Sequence, residues 1–158
     1  MADQYQSSHS GPVLDQSIQK LVDLETVHDG ILQLATIDAN ESFLTSPTYI
    51  TDYNWIKYSV LGNICFVSFH VKAIISNVGD SNGYAVIKGL PYPSLLDSSF
   101  SVYELVKSGE NNYPASVTLT VHSGKDFVRL EGNNGMDLVK WSTGTTWVGG
   151  TGFYFIQS

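Results

Sequence analysis

The stretch NWIKYSVLGNICFVSFHVKA, residues 54–73, decides the fold. Its halves flank Gly62-Asn63, a pair suited to the left-handed backbone of a tight turn, so it reads as two strands of a hairpin. In the second half Ile64, Cys65, Phe66, Val67, Phe69 and Val71 put bulky apolar groups on both faces of one strand, because successive side chains point to opposite sides. One face can line a core. The other needs a cover of its own, and that requirement runs through the whole reading.

A chain of 158 residues holds one ordinary domain plus an appendage. Charged residues make up only 15% while Gly, Ser, Thr and Asn are plentiful, which favours an all-β protein with many tight turns over a helix bundle. The formal charge is −7 and Arg129 is the single arginine, so no basic patch for nucleic acid or for an anionic membrane is expected. The start, MADQYQSSHSG, has neither a basic region nor an apolar one, and no run approaches the roughly 18 apolar residues of a membrane span. The expectation is a protein made in a cytoplasm without membrane insertion. Cys65 is the sole cysteine, and its place in an apolar strand suits an inert buried thiol.

The first element begins at SHSGPVLDQSIQKLVDLE, where Ser10 can cap, Pro12 suits a first turn, and Leu14, Ile18 and Leu21 make one stripe of a short helix. A lone helix of this length is marginal in water and needs something to pack on. The polar stretch DANESFLTSPT then reads as a connector, which divides the chain into an N-terminal helical segment, 1–44, and a β head, 45–158. Within the head, YAVIKGLPYP, SFSVYELVK, the long SVTLTVHSGKDFVRLEGNNGMDLVKWS and the closing GFYFIQ supply further strands separated by Gly- and Asn-rich turns. About seven or eight short strands at this spacing indicate an antiparallel β-sandwich or jelly roll.

The four histidines, His9, His28, His70 and His122, lie far apart, with no spacing that reads as a metal site, so no metal and no cofactor are expected. For His70, a satisfied interior or interface histidine outweighs a ligand. No nucleophile, nucleotide or zinc-protease motif is present, and no catalytic residue is assigned. Glu104 and Glu131 are the carboxylates placed to sit beside aromatics on a sheet, but a glycosidase needs two at a set separation. Aromatic usage says more. Trp147 in STGTTWVGGTG and Tyr113 in SGENNYPAS lie in polar, Gly-rich segments that read as loops. A ring beside Asn, Ser or Thr suits a sugar, whose apolar C–H face stacks while amides and hydroxyls reach its hydroxyl groups. Trp147 and Tyr113, with Asn111, Asn112 and Thr145, are therefore the candidate glycan contacts; the bland reading folds these rings onto the sheet edge or a neighbouring subunit. Trp55 and Trp141 read as core.

The helix stripe and the doubly apolar strand are both satisfied if identical chains pack around an axis, with Leu14, Ile18, Leu21, Phe66 and His70 at the contact. SHSGPVLDQSIQKLVD resembles a segment near the start of many bacteriophage and prophage virion proteins. WIKYSVLGNICFVSFHVKA followed by YAVIKGLPYP is similar to the hairpin and Gly-Leu-Pro turn of tail-fibre and receptor-binding head domains. What the resemblance implies is a homotrimer located in the virion. Its β head would contact a host cell-surface saccharide and its N-terminal segment would join other virion proteins. The alternative is a non-viral carbohydrate-binding module or an accessory domain of a glycan-active enzyme.

Overall fold

The structure, a computed structural model, describes residues 27–107, 117–132 and 137–157. The strands in chain order are β1 (His28–Gly30), β2 (Gln33–Ile37), β3 (Thr48–Leu61), β4 (Ile64–Asn77), β5 (Tyr84–Lys88), β6 (Ser98–Lys107), β7 (Val117–Val121), β8 (Phe127–Gly132), β9 (Asp137–Leu138) and β10 (Gly144–Phe155). No helix occurs among the described residues. The helical stripe Leu14, Ile18 and Leu21 lies outside them, as does the turn at Asn133-Asn134-Gly135.

The expected hairpin is the longest pairing of the fold. β3 and β4 run antiparallel from Leu61↔Ile64 to Thr48↔Asn77 around the turn at Gly62, whose φ of 59° is the left-handed value that glycine adopts without strain. All the strands join one antiparallel sheet in the order β1-β3-β4-β10-β6-β7-β8-β5-β2, with β9 beside β8. The sandwich expectation is thus met in its all-β, antiparallel character, but the strands form one continuous hydrogen-bonded series that curls, rather than two separate stacked sheets.

Two segments make the curl possible. β6 serves both halves, pairing through Ser101–Lys107 with β10 and through Ser98–Phe100 with β7. At the other turn, β1 and β2 occupy the two ends of the series yet are separated in the chain only by Ile31 and Leu32. The Asn54 side chain on β3 pins that link, accepting from the Leu32 N–H at 2.9 Å and donating to its carbonyl at 2.5 Å. The sheet therefore includes residues on both sides of position 44, where the polar stretch suggested a boundary.

The inner faces enclose one core. Cys65, Val67, Phe69, Val71, Ala73 and Ile75 of β4 meet Leu34, Ile87, Leu119, Val128 and Leu130 from the other half. Burial pushes the Cys65 thiol up, in keeping with an unreactive sulfur. Trp141 is buried as expected, and its indole N–H donates to the Ala35 carbonyl at 2.7 Å, joining segments 106 residues apart. Its place is just after β9 rather than within a strand.

A second, small core lies on the far side of β2, β5 and β8, where Ala35, Ile37, Val86 and Phe127 cluster. The segment after β2 covers it, with Phe43 edge-on to Phe127 at 5.5 Å. Glu41 fastens this cover. Its carboxylate accepts from Lys125 at 2.7 Å and Arg129 at 2.9 Å, although its own backbone takes a left-handed φ of 61°. Burial pushes the Glu41 carboxyl up, but the hydrogen bonds and charges of Lys125 and Arg129 together outweigh that and hold it below its ordinary value.

A carboxyl depressed in the folded state stabilises the fold above its unfolded value and loses that contribution as the pH falls through the folded one. Glu41→Gln should therefore destabilise the protein by about 1–3 kcal/mol at neutral pH. Urea melts of the two proteins at a series of pH values should converge below the ordinary value of 4.5. A gap that persists unchanged into acid would contradict the ion-paired cover.

Candidate functional site

The half-sheet β1-β3-β4-β10-β6 has an outer face, and its registers set the side chains in rows. Tyr53 of β3, Lys72 of β4, Trp147 of β10 and Val106 of β6 form one; Trp55, His70, Gly149 and Glu104 form the next; Lys57, Ser68, Thr151 and Ser101 the third; Ser59, Phe66 and Phe153 the fourth. The first two rows are aromatic, the third is mostly hydroxyls and the fourth is apolar.

His70 lies at the centre of the aromatic rows. Its ring is ringed by Tyr53 at 5.2 Å, Trp55 at 6.4 Å, Tyr103 at 6.3 Å and Trp147 at 6.3 Å, centroid to centroid. Tyr103 reaches this cluster because the β6–β10 register shifts between Gly149 and Gly150, so that Tyr103 is the extra residue beside Glu104. Its hydroxyl donates to the Phe69 carbonyl at 2.7 Å. Burial raises the Tyr103 hydroxyl above its ordinary value, with a side-chain hydrogen bond from Ser68 acting the other way and the negative charge of Glu104 adding to the rise. The His70 Nε2 bonds Glu104 Oε2 at 2.8 Å. Lys72 is shared between Asp52 at 2.9 Å and the face of the Trp147 ring, 5.0 Å from its centroid.

This arrangement depends on a glycine. A Cβ at Gly149 would come within 2.6 Å of the Tyr103 ring and 2.9 Å of His70 Cδ2, so the two rings can close over the strand only because no side chain stands there.

Beside the aromatic rows the small side chains of the third row leave a shallow groove of about 270 Å³, lined by Val27, Lys57, Ser59, Phe66, Ser68 and Thr151. The Thr151 hydroxyl donates to the Val67 carbonyl at 3.1 Å and keeps its lone pairs toward other partners. Beyond the groove Leu61, Phe66 and Phe153 are exposed, between 41% and 50% of their full area.

Several expectations are corrected by these positions. Trp147 and Thr145 are not in a loop: both belong to β10, where Trp147 pairs with Lys72 and Val106 and Thr145 with Ile74. Trp55 is not core; it stands half-buried on the outer face. His70 needs no neighbouring subunit for cover, since it is 6% exposed beneath rings of its own chain. Phe66 is exposed on the outer face. Tyr113, Asn111 and Asn112 lie outside the described residues. Tyr53 and Tyr103, which sequence reading passed over, are the most exposed members of the cluster, at 53% and 50%; the signal for Tyr53 was its alternation with Trp55 on β3, whereas Tyr103 is turned outward only by the register shift of β6 against β10. Glu131 sits away from this face on β8, held by His122 at 3.2 Å and Arg129 at 3.2 Å. No group of three or more His, Cys, Asp or Glu able to hold a metal occurs among the described residues.

Compared with known proteins, the chain matches no family model, no curated sequence and no solved structure.

The cluster's tightness is testable. Gly149→Ala should cost about 1–3 kcal/mol by overpacking and shift the near-ultraviolet circular dichroism of the displaced rings. A variant as stable as the parent, with an unchanged spectrum, would show that Tyr103 and His70 do not meet over this position.

Proposed function

We propose that this chain is a non-enzymatic saccharide-recognition domain, and that the outer face of β3, β4, β10 and β6 holds the ligand. The observation that carries the reading is the set of rows: accessible aromatic rings at Tyr53, Trp55, Tyr103 and Trp147 beside a groove floored by Ser68 and Thr151. A pyranose presents an apolar C–H face and a rim of hydroxyls, and this face offers the complement of both. Glycan contact through Trp147 and Thr145 is kept from the sequence, moved from a loop to a strand face.

Binding rather than hydrolysis is favoured because Glu104 and Glu131 stand in different halves of the sheet and each is engaged by a histidine. The wider setting is the one that the resemblance implies, a homotrimeric virion head displaying this face to a host-surface saccharide. The exposed Leu61, Phe66 and Phe153 accord with contacts between copies. Single sites of this kind are weak, about millimolar, and a trimer would multiply them through avidity.

A glycan array probed with the parent and with Trp147→Ala tests the reading. The parent should retain a restricted set of glycans and the variant should lose about tenfold in affinity for them, while native mass measurement gives three times the chain mass for both. No retained glycan, or equal binding by a folded variant, would remove this face from the function.

A further inference from the structure

Two ring nitrogens inside the aromatic cluster have no hydrogen-bond partner, His70 Nδ1 and Trp55 Nε1. Buried polar groups are nearly always paired, so two orphans on adjacent residues call for a reason. They are carried by cross-strand register partners on β3 and β4. His70 Cδ2 lies on the side of Gly149 of β10, and Nε2 reaches Glu104 on β6. The remaining ring nitrogen, Nδ1, is on the opposite side of the imidazole, toward β3, where Trp55 is the register partner of His70. The Trp55 and His70 ring centroids are 6.4 Å apart, so both unpartnered nitrogens belong to one small patch of the outer face.

The chemistry of the pair selects its ligand. With the Glu104 carboxylate accepting from Nε2–H, the Nδ1 of a neutral imidazole is an acceptor, while the indole Nε1–H can only donate. A carboxylate oxygen accepts but cannot donate to Nδ1; an ammonium donates but cannot accept from the indole. A hydroxyl does both through one oxygen.

We propose that His70 Nδ1 and Trp55 Nε1 form a hydroxyl-specific subsite, which takes one O–H group of a bound saccharide and orients its ring along the groove. This rests on the saccharide reading above and deepens it. Tyr53 is the gate: its ring stands edge-on to His70 at 5.2 Å and to Trp55 at 6.4 Å, and at 53% exposed it can turn outward without leaving a core position. The aromatic rows then supply affinity for any flat apolar sugar face, and the nitrogen pair supplies the requirement for a free hydroxyl.

The test is a titration of the full chain, with ¹⁵N-labelled Trp and His, by the methyl pyranosides of glucose, galactose and mannose, each beside its fully O-methylated form. At least one free glycoside should move the Trp55 indole N–H and His70 Nδ1 resonances together, and the O-methylated form should move neither. Trp55→Phe, which keeps a ring and removes the N–H, should weaken that glycoside about three- to tenfold; the wild-type resonances decide the matter if this variant does not fold. Binding that moves Trp147 and Tyr103 signals but leaves Trp55 and His70 untouched would overturn the subsite and leave the saccharide reading standing. No response to any glycoside up to about 100 mM, well above a millimolar dissociation constant, would overturn both.

Discussion

The pairing of β4 with β10 is the constraint on which the rest of the structure depends. Residues Ile64–Ile75 and Gly144–Phe155 run opposite one another through twelve successive positions without a register shift. Because side chains alternate strictly, this single register puts Val67, Phe69, Val71, Val148 and Tyr154 into the core. It equally fixes His70 opposite Gly149 and Lys72 opposite Trp147 on the outer face. A slip of one residue would turn the core out to solvent and bury Lys72. The hydrophobic effect that holds the core therefore also builds the outer aromatic face, and the two cannot be adjusted separately.

What covers the second face of β4 has two answers along one strand. In the middle, His70 is covered from within the chain, by rings carried on β3, β6 and β10. At the end next to the hairpin, Phe66 and Phe153 face each other at 6.1 Å and remain exposed. The half-sheet thus grades from a packed aromatic centre, through a hydroxyl-floored groove, to an apolar rim. On the opposite half the same alternation is handled differently: the outward apolar residues Ala35, Ile37, Val86 and Phe127 of β2, β5 and β8 are covered by the segment after β2, held down by Glu41 between two cations.

Much of this was legible in the sequence. The hairpin around Gly62, the all-β class, the buried cysteine and the abundance of strands follow from alternation and turn residues, which are local signals. What local signals misread was β10. Its segment STGTTWVGGTG looks like a loop because glycines ordinarily mark turns, yet Gly149 and Gly150 are strand residues placed where the Tyr103, His70 and Phe69 rings press on the backbone. That requirement comes from strands far away in the chain and leaves no trace within the segment itself. The same holds for His70, whose cover is assembled from three other strands, and for Tyr103, brought to the site by a register shift. Trp147 was read as a loop residue for the same reason, and stands on a strand.

The central claim is that the outer face of β3, β4, β10 and β6 is a ligand surface. Its most direct test is a crystal structure of the protein grown with a saccharide that it retains. The account predicts a sugar ring lying against Trp55, Tyr103 or Trp147 above Ser68 and Thr151, with Tyr53 turned aside. A sugar bound elsewhere on the molecule, with the aromatic rows closed under another copy of the chain, would contradict it.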